Sequence, residues 1–401
     1  MDEKLLWMWL SLHYGAGTSI YQKLFNHFGS LDAIYDSDDA DADLIEWLTP
    51  SLKNKLLDKN LSHAEEVLRW CDDHDVDVIT PNSPEYPESL RLIDDYPAVL
   101  YCKGRLPDFS KSLCISVVGT RTMTVEGQRN AYELGYGLAK GGAIVVSGMA
   151  KGIDCTAQKG ALYAGGTSVA VLGSGIDVCY PKENFALWTK LMNVGAVITE
   201  YPPHTPPNGS NFPVRNRIIS ALSPATVVVE CDLNSGALIT ARKARKQGKM
   251  LFAYPGSVHE FRNAGTNQLL RDGAILTTGA IDVLEQFLDK YADIINLSAS
   301  KEKPVINKFK KVASNYDTAS FYNDNKKNEQ SEVEEKKESF DKSQLTPDQL
   351  AIYDGMEFDK TYTVDDILQI GSNTNEIASL LMMLQLAGAI ENVPGGYYIK
   401  K

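Results

Sequence analysis

The sequence predicts an α/β protein built around a parallel sheet, and two observations predict it. Between about residues 113 and 290, short β-branched apolar runs alternate with helical patterns, as parallel strands joined by right-handed crossovers do. The loops after those runs are rich in glycine and polar residues: Gly119-Thr120-Arg121, Ser147-Gly148-Met149-Ala150-Lys151-Gly152-Ile153-Asp154, Gly173-Ser174-Gly175 and Phe212-Pro213-Val214-Arg215-Asn216-Arg217. Loops at the carboxyl ends of parallel strands share one edge of the sheet, where α/β proteins take their ligands. Here that edge collects glycines, hydroxyls and cations, a combination suited to a polyanion.

The elements follow in order. Residues 1–75 read as helical, with Leu5, Trp9 and Leu12, then Ile20, Leu24 and Phe28, at helical spacing. Between those helices, Tyr14-Gly15-Ala16-Gly17-Thr18-Ser19 is a glycine turn followed by good N-cap residues. It is either a helix-hairpin-helix that holds a phosphate on backbone N–H groups or a plain turn in a SAM-like bundle. The acidity of the region favours the plain turn. Residues 76–112, with Pro81, Pro84, Pro87 and Pro97 before Val99–Gly104, read as an extended connection with an edge strand. In the core, residues 113–290, strands are expected at 114–118, 143–147, 168–172, 196–199, 226–230, 250–253 and 275–277. Helices are expected over Gly127–Lys140, Cys155–Ala164, Lys182–Asn193 and Ala237–Gln247. Residues 293–344 turn to Lys, Glu, Asn, Ser and Asp, the composition of a flexible charged linker. Residues 345–401 open with Thr346 as N-cap and Pro347 in the first turn. They continue through a helix Thr374–Ala387 to a hairpin within Ala389–Ile399, the order of a small winged helix.

The 401 residues carry a net charge of −12, unevenly spread. Residues 1–112 are at −11, 113–290 at +4 and 291–401 at −5, so only the segment with the unusual loops is basic. Local field matters more than total charge for a polyanion. No apolar run reaches the roughly 18 residues of a membrane span, and the first residues lack a secretory pattern. Six scattered cysteines without C-x-x-C spacing read as reduced thiols. These features together suggest a cytoplasmic protein with no membrane contact.

The loop chemistry excludes several enzymes. The first core strand leads into Gly119-Thr120-Arg121-Thr122 rather than G-x-G-x-x-G, and Ser147 stands where a ribose-binding acid belongs. A Walker loop, a G-x-S-x-G elbow and H-x-x-x-H spacing are absent, so no cofactor, metal or catalytic residue is expected. What remains is anion chemistry. Arg121 offers a planar fork to phosphate, and the glycines of Ser147–Asp154 bare N–H groups near a helix start, unless Asp154 simply caps that turn. Arg215 and Arg217 either face a ligand, with Asn216 holding the loop, or form structural salt bridges. Arg242, Lys243, Arg245, Lys246 and Lys249 form either a phosphate-binding or a solvated face. Phe212, Tyr180 and Tyr201 either stack on unpaired bases or pack. Glu200 and Glu230 each end a strand and read as structural rather than as a catalytic pair.

Val118–Arg121, Ser147–Asp154, Gly173–Asp177 with Tyr180-Pro181, and Phe212–Ile219 together resemble the DNA-processing protein A (DprA, or Smf) family of bacteria. So do Ser235–Ala241, Phe252–Ser257, Gly265–Leu270 and Gly273-Ala274. The resemblance covers roughly residues 80–290 with high specificity. It implies an extended Rossmann-like core between a SAM-like domain and a winged helix, and a non-catalytic protein that binds single-stranded DNA. It also implies that incoming strands are protected in natural transformation and that the RecA recombinase is loaded onto them. Gly119, Arg121, Ser147, Gly148, Gly152, Arg215, Asn216, Arg217 and Lys249 fall on or beside the motifs that line the family's DNA pocket. A homodimer contact is implied around Leu238, Leu270 and Leu276. Thr120 stands where the family commonly has Ser, and both carry a hydroxyl. Thr374–Ala387 holds no Lys or Arg, which suits an accessory role better than groove reading. Rival readings are an enzyme acting on a nucleotide phosphate and a ligand sensor. The phosphoribohydrolase loop P-G-G-x-G-T-x-x-E is missing, and Asn234–Thr240 stands in its place.

Overall fold

The computed structural model describes residues 2–304, 345–356, 361–364, 366–367, 377–386, 389–393 and 397–400. The chain divides into two units, 1–321 and 322–401.

The first unit is a mixed α/β structure around a nine-stranded sheet of order β1-β2-β6-β5-β4-β3-β7-β8-β9. Strands β3 (Cys114–Val118), β4 (Ile144–Ser147), β5 (Ser168–Val171), β6 (Ala196–Thr199), β7 (Ala225–Val228), β8 (Met250–Ala253) and β9 (Ile275–Leu276) run parallel. They lie where the β-branched runs place them. Strands β3, β5, β6 and β7 are buried at every residue, which is why they read as unbroken apolar runs. The chain winds from β3 out to β6, then returns to the other side of β3 with β7. The strand order therefore reverses between β3 and β7. Helices α8 (Val125–Lys140), α9 (Ile153–Tyr163), α10 (Phe185–Val194), α12 (Ala237–Lys246) and α13 (Ala264–Arg271) form the crossovers.

Three expectations need correction. Phe212–Arg217 is not a loop but part of helix α11 (Asn211–Ala221). Pro213 sits in its first turn, where a missing N–H breaks no helical bond. Residues 76–112 contribute two antiparallel strands, β1 (Asp77–Ile79) and β2 (Leu100–Gly104). Strand β2 is an inner strand because β1 covers it. Residues 293–304 are not linker: Leu297–Ser300 is helical, Asn296 N–H donates to Gly141 O at 3.1 Å, and Lys140 pairs with Glu302 at 3.1 Å. Ile295 and Leu297 supply the apolar contacts that hold this segment to the core. The rest of the expected linker, 305–344, lies outside the described residues.

The N-terminal helices α1 (Glu3–Tyr14), α2 (Ile20–Phe28), α3 (Leu31–Asp36), α4 (Asp39–Asp43), α5 (Pro50–Leu57) and α6 (Ser62–Asp73) share one apolar cluster with the sheet. Tyr101 Oη on β2 donates to Met8 Sδ at 3.1 Å. The turn between α1 and α2 has an internal partner. Gly17 N–H donates to Glu200 Oε1 at 3.2 Å, so this donor serves the fold. Gly17 has φ +70°, and a Cβ there would lie 2.4 Å from Val214 Cγ1.

In the second unit, helix Pro347–Gly355 begins with a capping box between Thr346 and Gln349. Three antiparallel strands, β10 (Thr361–Tyr362), β12 (Tyr397–Lys400) and β11 (Ile390–Val393), lie in that order. With helix Ile377–Leu386 they enclose Ile352, Ile367, Leu381 and Leu384. Residues 374–376 and 387 of the expected helix, and the 394–396 turn of the hairpin, lie outside the described residues.

Replacing Gly17 by alanine forces a left-handed backbone on a side chain that meets Val214. Urea unfolding of Gly17→Ala is expected to show a loss of about 1–3 kcal/mol. An unchanged midpoint means the turn does not rest on α11.

Candidate functional site

Loops after β3, β4 and β5 and the first turns of α11 enclose a cavity of about 190 Å³. Arg121, Gly148, Lys151, Gly173, Tyr180, Glu183, Phe212 and Arg215 are among its lining residues. Its floor is Arg215, only 3% exposed. This guanidinium donates through Nη1 to Gly148 O at 2.9 Å and to Val171 O, and through Nε to Asn216 Oδ1 at 3.2 Å. Asp154 is its counter-charge. Burial pulls the Arg215 pKa down to about 10, opposed by Asp154 and reinforced by Arg121. Arg215 therefore stays charged at neutral pH. Burial also pushes the Asp154 carboxyl upward, while Arg215 pulls it back.

Above this floor lies the Phe212 ring. The exposed Arg121 guanidinium sits 5.0 Å from its centroid and Arg215 at 5.9 Å. Tyr180 lies 5.5 Å away at 32°. A ring with two guanidinium groups within 6 Å of its centroid and a tyrosine beside it puts aromatic surface and positive charge in one small volume.

The remaining residues singled out from sequence fall into distinct places. Gly119 carries the turn after β3, packed against Ile153. Gly152, at φ +89°, brings its own loop under Thr120 and Arg121, where a Cβ would lie 2.3 Å from Thr120 O. Gly148 leaves room for Arg215, whose Nη2 would lie 2.6 Å from an added Cβ. Its N–H is not bare: it donates to Asp154 Oδ2 at 3.1 Å, so the capping reading of that loop holds for this donor. Ser147 is fully buried, and its hydroxyl donates to Val117 O at 2.6 Å, tying β4 to β3 instead of facing the cavity.

Two expected phosphate contacts lie elsewhere. Arg217 is 1% exposed and turned away, with Nη2 on Glu200 Oε1 at 2.7 Å and Nε donating to Asp95 O at 2.8 Å. Burial lowers its pKa, but Glu200 outweighs that and leaves it above the ordinary arginine value. Lys249 precedes β8, so it stands at the amino edge of the sheet, opposite the cavity. Neighbouring α12 spends its cations internally: Lys243 lies 3.8 Å from Asp95, Lys246 4.0 Å from Asp94, and Arg245 donates to Asp272 O. Tyr201 is buried, with its hydroxyl on Asn211 O. Leu238 and Leu270 are half-buried against the core, while Leu276 is 54% exposed on β9, at the open end of the sheet.

Glu200 and Glu230 form no pair. Strands β5, β4 and β3 stand between theirs, a separation of about 19 Å at ordinary strand spacing. Glu230 instead accepts from Thr124 N–H at 2.9 Å and from the Thr124 hydroxyl, at the start of α8. It thereby ties the end of β7 to the start of α8, beside the switch point between β3 and β7 where open α/β sheets receive ligands. Reasoning from sequence missed the Asp154–Arg215 pair, because nothing in their spacing links them. Lys151, inside the Ser147–Asp154 motif, also lines the cavity.

A doubly wound α/β sheet with a cationic, aromatic-lined pocket at the carboxyl ends of β3, β4 and β5 defines the class of the fold. The family model described as DNA recombination-mediator protein A matches residues 77–288, and the chain belongs to that family. It is 40% identical to the DNA processing protein DprA of Streptococcus pneumoniae over 50% of this chain and 71% of that protein. It is 39% identical to Protein Smf of Escherichia coli over 55% of this chain. That match spans 59% of the Escherichia coli protein's length. The X-ray structure of the Streptococcus pneumoniae protein superimposes with a TM-score of 0.63 at 30% identity, covering 71% of this chain and 98% of that one.

The two arginines of α11 and the one after β3 are separable by stability. Arg217→Ala leaves Glu200 buried without its partner and is expected to cost about 3–5 kcal/mol in denaturant unfolding. Arg121→Ala, at an exposed site, is expected to stay within about 0.5 kcal/mol of the parent. Equal losses overturn this division of roles.

Proposed function

We propose that this chain is a non-catalytic mediator that binds single-stranded DNA without sequence preference and passes it to the RecA recombinase. On this reading it acts in the cytoplasm during natural transformation. The observation that carries the reading is the grouping of the Phe212 and Tyr180 rings with Arg121 and Arg215 in one cavity. Unpaired bases have free faces that stack on such rings, and stacking accepts any base. The exposed Arg121 contacts phosphate, with Lys151 at the same rim. Arg215, Gly148 and Asn216 shape the floor. Family membership agrees with a role in DNA recombination.

In this proposal the N-terminal helices form a SAM-like domain that buttresses the core, and residues 345–401 form a winged helix with an accessory role. Two copies associate through the open end of the sheet around Leu276. An enzyme acting on a nucleotide phosphate fits less well, because Glu230 already takes the Thr124 N–H and hydroxyl at the helix start beside the switch point.

Titrating salt against binding of a fluorescent oligothymidine, with a duplex of equal length alongside, tests the reading. Salt-sensitive binding to the single strand and weak binding to the duplex are expected, followed by faster RecA assembly on bound strands. Arg121→Ala is expected to weaken binding equally for different sequences and to flatten the slope of log affinity against log salt by about 0.7. Full affinity in that variant removes the pocket from consideration.

A further inference from the structure

The cavity has an aromatic margin that the pocket itself does not use. Beyond Tyr180, residues Lys182–Asn184 form a short 3-10 turn, and α10 starts at Phe185. The turn is fixed to the pocket: Asn184 is 5% exposed, and its Nδ2 donates to Met149 O at 2.9 Å, in the loop after β4. Tyr180, Pro181 and Glu183 all line the cavity, and Phe185 follows two residues after the last of them, outside its lining. Its ring is 57% exposed and is propped from behind by Trp188, at 5.6 Å between centroids. Lys182 beside it is exposed.

A single exposed aromatic ring is ordinary on a protein surface. What distinguishes Phe185 is its continuity with the site. Phe212 and Tyr180 lie 5.5 Å apart in the cavity, and Phe185 follows Tyr180 by five residues on backbone anchored through Asn184 to the loop after β4. A rigid platform loses little freedom on binding, which favours stacking. Five peptide units reach at most roughly 17 Å, and the 3-10 turn shortens that, so the path from Tyr180 to Phe185 spans at most about five stacked nucleotides at 3.4 Å each. Glu183 repels phosphate at the rim, which turns a strand's backbone toward Lys182 and its bases toward the rings.

We infer that Phe185 is a second stacking platform for single-stranded nucleic acid as it leaves the pocket, with Lys182 offering charge to its phosphates. The inference rests on the pocket reading given above. It makes affinity depend on strand length in a way the pocket alone does not.

The test compares full-length Phe185→Ala, Phe185→Trp and Arg121→Ala with the parent on oligothymidines of about 4 and about 16 nucleotides, the span of site sizes for single-strand-binding folds. Phe185→Ala is expected to match the parent on the short strand and to bind the long one about five- to tenfold more weakly, the loss of one stacked base. Phe185→Trp, which keeps a π-face, is expected to retain parental affinity on both. Phe185→Ala with parental affinity on both strands, while Arg121→Ala fails on both, overturns the platform and leaves the pocket reading standing. An equal loss on both lengths places the ring inside the pocket contact and overturns the platform as an extension. Arg121→Ala binding both strands like the parent removes the pocket and the platform together. Thermal unfolding of Phe185→Ala is expected to match the parent, because the ring is exposed, and a lowered transition overturns its assignment to the surface path.

Discussion

The buried guanidinium of Arg215 is the interaction on which the site depends. It donates to carbonyls at the ends of β4 and β5 and answers the charge of Asp154, so one side chain ties α11 to two strands and to the start of α9. A guanidinium with no counter-charge at this depth is costly, and breaking such a pair by removing one partner costs more than the pair contributes. Its position also explains the glycine at 148, since any side chain there meets Arg215 and Asp154. The Phe212 ring lies on the floor this arginine provides.

Two residues further along α11, Arg217 does a different task. Residues i and i+2 lie about 200° apart around a helix, so the two arginines face opposite ways. Arg215 faces the cavity, and Arg217 faces Glu200, Asp95 and the docked N-terminal turn. One helix thus joins the site to the scaffold, and the six N-terminal helices share the sheet's apolar cluster instead of standing apart.

Much of this was legible in the sequence because the physics was local. Seven short apolar runs became seven parallel strands, and β3, β5, β6 and β7 stood out most because strands buried on both faces are apolar along their length. Arg121 was recognisable from the loop that holds it. The misreadings share a cause in tertiary placement. Phe-Pro-Val suggested a loop, yet Pro213 falls in a first helical turn, and reading the segment as a loop left Arg215 and Arg217 looking equivalent. Lys249 stood next to a motif, but motif proximity does not say which edge of the sheet a residue occupies. Glu200 and Glu230 follow successive strands in the chain, but the return from β6 to β7 carries the second one across the centre of the sheet. Residues 293–304 looked too polar to fold, yet a few aliphatic side chains suffice to hold them.

Glu230 acts at the head of α8, beside the switch point, as a ligand tethered to its own receptor. The carboxylate takes an N–H and a hydroxyl of Thr124 at the head of α8, groups that serve a diffusing phosphate in other doubly wound sheets. Because it is joined to the chain, its effective concentration does not fall on dilution, and any free nucleotide competes against an intramolecular rival. The advantage over a free nucleotide therefore comes from covalent attachment rather than from shape.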